Sequence, residues 1–92
     1  MNINLINYKY FRERYIIFEG NRKGKEYYFY NLIFEGEYLN GKRNEKGKEY
    51  YPNGNLKFEG EFLNGNRWSG NGYDNKNNII YSLKNGNGLI KE

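Results

Sequence analysis

Apolar and acidic positions alternate along residues 34–38, where Phe34, Gly36 and Tyr38 are separated by Glu35 and Glu37. A period of two puts one set of side chains on each face of a β-strand. The same words return downstream: Phe34-Glu35-Gly36-Glu37-Tyr38-Leu39-Asn40-Gly41 is echoed by Phe58-Glu59-Gly60-Glu61-Phe62-Leu63-Asn64-Gly65, a displacement of 24 residues. Self-similarity at a fixed period of about 20 to 50 residues marks a repeat array, in which one unit cannot bury its apolar face alone. Between the copies lie Gly47-Lys48-Glu49-Tyr50-Tyr51 and then Pro52-Asn53-Gly54-Asn55. Asn-Gly between two strand-like runs predicts a hairpin, so residues 47–51 should pair antiparallel with residues 56–63.

The register follows from the turn. A two-residue turn at Asn53-Gly54 sets Tyr51 opposite Leu56, Tyr50 opposite Lys57, Glu49 opposite Phe58 and Gly47 opposite Gly60. It also sets Lys48 opposite Glu59, a favourable cross-strand charge pair. A three-residue turn with a bulge would pair Glu49 with Lys57 instead. The two-residue turn is preferred, although it leaves a carboxylate beside Phe58. Gly36 and Gly60 fall mid-strand on the aromatic face, where glycine weakens a sheet unless the room it leaves is used. A ring from a neighbouring strand laid across each position is the structural reading.

The pattern extends in worn copies along the whole chain. Residues 7–17 form a degenerate half-unit, with Tyr10-Phe11 in place of Tyr50-Tyr51 and Arg12-Glu13-Arg14 in place of the turn. Ile3, Leu5 and Ile6 are expected to pack on this first hairpin. A shortened unit spans 18–33, beginning Phe18-Glu19-Gly20; a full unit spans 34–57, with residues 40–46 as its exposed basic loop; a third spans 58–80 and carries Trp68. The last, 81–92, opens with Tyr81 at the Phe58 position and stops inside what reads as another strand, Leu89-Ile90-Lys91-Glu92. No stretch has the i, i+3, i+4 apolar stripe of a helix. The expected fold is all-β, one domain over 1–92: an elongated antiparallel meander of repeated hairpins, seven or eight short strands in a single twisted layer. Phe18, Gly20, Phe34, Gly36, Tyr38, Phe58, Gly60, Phe62 and Tyr81 are its repeated anchors, with Tyr28 and Tyr51 beside them.

The string Phe-Glu-Gly-Glu-Tyr-x-Asn-Gly-Lys-Arg-x-x-Lys-Gly-Lys, then a tyrosine-rich strand and an Asn-Gly turn, resembles the MORN repeat. It departs where Glu45 stands in place of a second glycine and Glu49 in place of a tyrosine. The resemblance implies a single-layer twisted sheet, and a role as scaffold or dimerisation element, in some members near membranes.

Composition narrows the chemistry. The chain has 92 residues and a net charge of +4; 20% of residues are aromatic, with 11 tyrosines, and alanine and valine are absent. Large rings let a thin sheet bury enough surface to hold together. Without cysteine or histidine there is no disulfide framework, no thiolate metal site and no imidazole base. Glu19, Glu35, Glu37, Glu59 and Glu61 alternate with rings and read as a solvated face rather than a catalytic pair. Gly86-x-Gly88 lacks the following helix a phosphate cradle requires. No catalytic, cofactor or metal residue is assigned.

No apolar stretch approaches the roughly 18 residues of a membrane span, and the first residues lack a secretory core, so the expected location is the cytoplasm, or the membrane periphery. The expected function is a non-catalytic scaffold for protein–protein contact, with an unidentified protein partner and self-association through an edge strand. The alternative is a peripheral module binding anionic phospholipid headgroups through basic hairpin loops, with Lys23, Lys25, Lys42, Arg43 and Lys46 as contacts, each worth about 1 kcal/mol near a charged surface. Base stacking on exposed tyrosines is disfavoured, because alternation sends most rings to the buried face.

Overall fold

The structure, a computed structural model, describes the backbone of residues 8–11 and 13–90 and side chains from 13 to 88. The expected packing of Ile3, Leu5 and Ile6, the place of Arg12 and the ending Lys91-Glu92 lie outside the described residues. Among the described residues nine strands form one antiparallel sheet in chain order: β1 (Tyr8–Phe11), β2 (Arg14–Glu19), β3 (Lys23–Tyr28), β4 (Asn31–Leu39), β5 (Lys42–Tyr50), β6 (Leu56–Leu63), β7 (Asn66–Tyr73), β8 (Ile79–Lys84) and β9 (Asn87–Ile90). The sheet measures 50 × 26 × 19 Å. The meander of hairpins is the one expected, with nine strands rather than seven or eight because both short outermost stretches pair.

Glycine explains how one layer can own a core. Gly24, Gly36, Gly47, Gly60 and Gly70 stand opposite one another on five successive strands, β3 to β7. A Cβ on Gly47 would lie 2.5 Å from the Phe34 ring, and one on Gly24 2.8 Å from the Tyr38 ring. At Gly36 the obstacle is backbone as well, with the Lys46 carbonyl oxygen at 2.5 Å and the Gly47 Cα at 2.6 Å. Rings lie in the spaces glycine leaves, and the chain closes in on itself there. Phe34 and Phe58 are wholly buried, with Ile16, Tyr38 and Phe62 nearly so; Phe18, Tyr81 and Leu83 pack against them. The rings meet edge-on in an unbroken line: Phe18–Tyr38 at 5.2 Å between centroids, Tyr38–Phe34 at 5.6 Å, Phe34–Phe62 at 5.1 Å and Phe62–Phe58 at 5.5 Å. Such contacts add about 0.5–1.5 kcal/mol each beyond the buried area.

Gly20 is not in this row. It turns at φ +72° between β2 and β3, while Gly24, opposite both Phe18 and Gly36, takes the role expected of it. The shortened unit leaves no residues to carry β2 past Glu19.

The turns depart from expectation in two places. Tyr51 donates its N–H to the Asn55 carbonyl (2.8 Å) and accepts from the Gly54 N–H (2.9 Å), with Gly54 at φ +91°. This is a three-residue turn, not the two-residue turn preferred from sequence. Proline supplies the reason: Pro52 has no N–H for a ladder position and its fixed φ suits the first corner of a type I turn. Tyr50 therefore faces Leu56, and a bulge between Glu49 and Tyr50 restores Glu49 to Phe58, Lys48 to Glu59 and Gly47 to Gly60. The expected pairings hold beyond the bulge and fail at the turn.

The second departure is the basic loop at 40–46. Asn40 (φ +52°) and Gly41 (φ +78°) make the whole connection, so β5 begins at Lys42. Asn64-Gly65 and Asn85-Gly86 repeat that left-handed pair, and so do Phe29 (φ +53°) and Tyr30 (φ +91°) between β3 and β4. Neighbouring units interlock through these ends, for the Gly65 N–H donates to the Arg43 carbonyl and the Gly86 N–H to the Trp68 carbonyl, at 2.8 and 2.7 Å.

Candidate functional site

Strand alternation gives the sheet two unlike faces. On the ring face, Glu26 lies opposite Phe34, and Glu49 lies between Phe34 and Phe58. Each is met by an arginine from the next hairpin. Arg43 donates through Nε and Nη2 to the two oxygens of Glu26, at 2.9 and 3.0 Å. Arg67 does the same to Glu49, at 2.7 and 3.0 Å, and donates through Nη1 to the Tyr81 hydroxyl. The Arg43 guanidinium sits 4.1 Å from the Phe34 ring centre and that of Arg67 4.9 Å from Phe58. Arginine suits this place because its flat cation covers a ring while its fork grips a carboxylate. Arg14 and the Arg43–Glu49 approach, both at 3.9 Å, join the pairs into one ladder.

The ladder sets its own ionisation. Burial works to raise the Glu26 carboxyl, but Arg43, the Tyr38 hydroxyl and Arg14 together hold it below its usual value. Burial likewise opposes the charge on Arg43, and Glu26 and Glu49 outweigh it, so that its pKa is raised. Tyr38 is pushed up by burial and by the Glu26 carboxylate it donates to. These groups are charged or neutral once and for all near neutrality, which is the behaviour of a structural lattice.

The other face carries a groove of about 960 Å³ floored by Gly24, Gly36, Gly47 and Gly60. Its walls are six glutamates, Glu19, Glu35, Glu37, Glu45, Glu59 and Glu61, and four lysines, Lys23, Lys25, Lys46 and Lys48. Lys25, Glu35, Lys48 and Glu59 face one another in turn across β3 to β6. Lys48 reaches Glu59 at 3.5 Å and Lys25 reaches Glu19 at 3.7 Å, with Glu19 the most exposed of the four and the others half exposed. Tyr50 borders this face; burial first, then the neighbouring Glu35, pushes its hydroxyl up to about 12.

The five basic residues singled out from sequence are thereby separated. Lys23, Lys25 and Lys46 line the groove among carboxylates, and Lys42 stands exposed beside the Asn40-Gly41 turn. Arg43 belongs to the other face, its side chain only 18% exposed and both forks of Glu26 on it. None occupies a basic loop. Glu26, Glu49 and Arg67 carry more of the architecture than sequence reasoning assigned them. The signal was present in the repeats: Arg43 and Arg67 both follow Asn-Gly by two residues, and Glu26 and Glu49 both stand in Gly-Lys-Glu-Tyr. Among the described residues no group of three or more acidic side chains is arranged to hold a metal ion.

No curated protein and no solved structure is significantly similar to the chain. The family model for the MORN repeat matches residues 34–56 and 58–69, the two units in which the ring line, the glycine row and the arginine–glutamate ladder are most complete. Over those two central units the chain matches the MORN repeat.

Proposed function

We propose that the chain is a non-catalytic repeat scaffold that binds another protein through the groove opposite the ring face. One observation carries this reading: the groove offers six carboxylates and four ammonium groups at strand spacing over a floor of bare glycine backbone. The net charge of its walls is −2 although the chain as a whole is +4. Such a surface favours an extended segment whose cations outnumber its anions, since complementary fields steer encounter and fix register. The acids of the walls are paired with lysines or held at strand spacing, and the lining holds no histidine, cysteine or serine.

Titration with short synthetic peptides tests the reading. A Lys-Gly repeat peptide should shift the amide resonances of β3 to β6, with affinity that falls as salt is raised. A Glu-Gly peptide should not. Replacing Glu35, Glu37, Glu59 and Glu61 by Gln should weaken the Lys-Gly peptide by about tenfold or more. Equal binding of both peptides, or preference for the acidic one, contradicts the proposal.

Lipid binding is the second reading, and the structure favours a different contact set for it. Leu39 and Leu63 are 50% and 43% exposed at equivalent hairpin ends, beside the exposed Arg22, Lys23 and Lys42. Apolar tips among cations suit an anionic surface. Co-sedimentation with anionic but not neutral vesicles, abolished by Lys42→Glu with Leu39→Asn, supports this reading, and failure to pellet at low salt removes it. Self-association through β1 or β9, each paired on one side only within the described sheet, is open to the same two-sided test by light scattering.

A further inference from the structure

The tight turn between β3 and β4 differs from its counterparts in the same molecule. Among the described residues four two-residue connections place both of their residues at positive φ. Three are Asn-Gly, the pair for which that conformation is least costly. The fourth is Phe29-Tyr30, at +53° and +91°, where bulky side chains crowd the backbone. The chain recovers little from the exchange. Phe29 is 52% exposed, Tyr30 89% and the adjoining Tyr28 47%. Their ring contact is the edge-on one between Tyr28 and Phe29, 4.6 Å between centroids. The Phe29 N–H donates to the Glu13 carbonyl at 3.1 Å, which ties the tip to the preceding hairpin and holds it out in one position.

Strained backbone held at an exposed position points to use outside the chain. We propose that Phe29 and Tyr30 form an aromatic anchor that inserts into an apolar pocket of a protein partner, at a contact separate from the groove. The charges around the tip select this occupant. Glu13 and Arg14 stand beside it, one of each sign, and Arg14 is already turned toward Glu26. Nucleic acid and anionic lipid both require a cluster of cations at the point of contact, which the described residues at this end of the hairpin do not supply. Two rings on a fixed turn cover too little surface for a flat interface, which needs about 800 Å² from each partner. They suit a pocket, where a few desolvated aromatic side chains carry most of the binding.

The double variant Phe29→Asn/Tyr30→Gly writes the chain's own Asn-Gly turn into this position and so preserves the hairpin. Its unfolding midpoint should rise by about 4 to 8 °C or more as strain is relieved; an unchanged or lower midpoint overturns the premise. For the partner, full-length chain carrying p-benzoylphenylalanine in place of Tyr30 is irradiated in native extract and its adducts are mapped. The expected result is one protein, joined through residues that line an apolar pocket, which once purified binds the wild-type chain at least about tenfold more tightly than the double variant. Groove glutamate-to-glutamine variants should cross-link at position 30 undiminished. Scattered or absent adducts, adducts to lipid or nucleic acid, a junction on a flat charged surface, or equal affinity of wild type and variant overturn the proposal.

Discussion

At the scale of the residue, the molecule depends on positions where a side chain is missing. Gly36 has its would-be Cβ directed at the Lys46 carbonyl and the Gly47 Cα, at 2.5 and 2.6 Å. Backbone cannot swing aside as a flexible side chain can, so Gly36→Ala should cost about 3 kcal/mol, near the upper end for overpacking. Urea unfolding measures it, and a loss below 1 kcal/mol would mean the strands have room that the geometry denies. Glycine of this kind was legible in the sequence at residues 36 and 60, from their alternation with glutamate. The ladder was not. A carboxylate opposite Phe58 reads as a fault until the arginine above it is known, and that arginine arrives from two strands away in space and 18 residues away in sequence.

Arg43→Ala should be severe for the same reason, because it strands the Glu26 carboxylate, whose side chain is only 6% exposed. About 3 to 5 kcal/mol is expected. Acid should reach the same contact by another route. The folded pKa of Glu26 lies below the usual 4.5, so its contribution is complete above that value. It is lost as the pH falls through the lower folded value, the unfolded chain taking up the proton first. Urea midpoints recorded from neutrality to about pH 3 should decline below about pH 4.5. The decline should be shallower in Glu26→Gln.

At the scale of the element, the hairpin itself could be read from sequence and its corner could not. The pairs Gly47–Gly60, Lys48–Glu59 and Glu49–Phe58 follow from counting, yet the turn beside them is one residue longer than the count allowed. Two irregularities cancel: Pro52 lengthens the turn and the bulge at Tyr50 removes the shift. Pattern arithmetic sees the sum of such terms and not its parts. The basic loop fails differently. Asn40-Gly41 is a complete two-residue turn, and the polar run after it is strand that bulges against β4, with Glu45 at φ +65° breaking the alternation.

Glu45 stands in that bulge at φ +65°, where the family resemblance places glycine. Glu45→Gly should therefore stabilise the chain by about 1 kcal/mol, relieving a left-handed residue that has a Cβ. Thermal unfolding checks the sign. A destabilised variant would mean that the Glu45 side chain matters more to the groove wall than its backbone does to strain.

At the scale of the whole molecule, one sheet serves two purposes by keeping its faces chemically apart. The face of rings and arginines makes the structure; the face of alternating lysines and glutamates carries the proposed contact. Both depend on the glycine row, which seats the rings on one side from Gly24 to Gly70 and floors the groove on the other from Gly24 to Gly60. The all-β meander and its period were open to sequence reading because they are written in local alternation. The groove was hidden because its charge balance appears only when five strands lie side by side and each lysine is seen with its acidic neighbours.

Proton NMR of the glycines tests that row most directly. With the Phe34 ring over Gly47 and the Tyr38 ring over Gly24, one α-proton of each glycine should be shifted strongly upfield by ring current and should show a cross-relaxation peak to that ring. Glycine α-protons at the ordinary positions of an open strand, without those peaks, would contradict the two-faced sheet and the groove built on it.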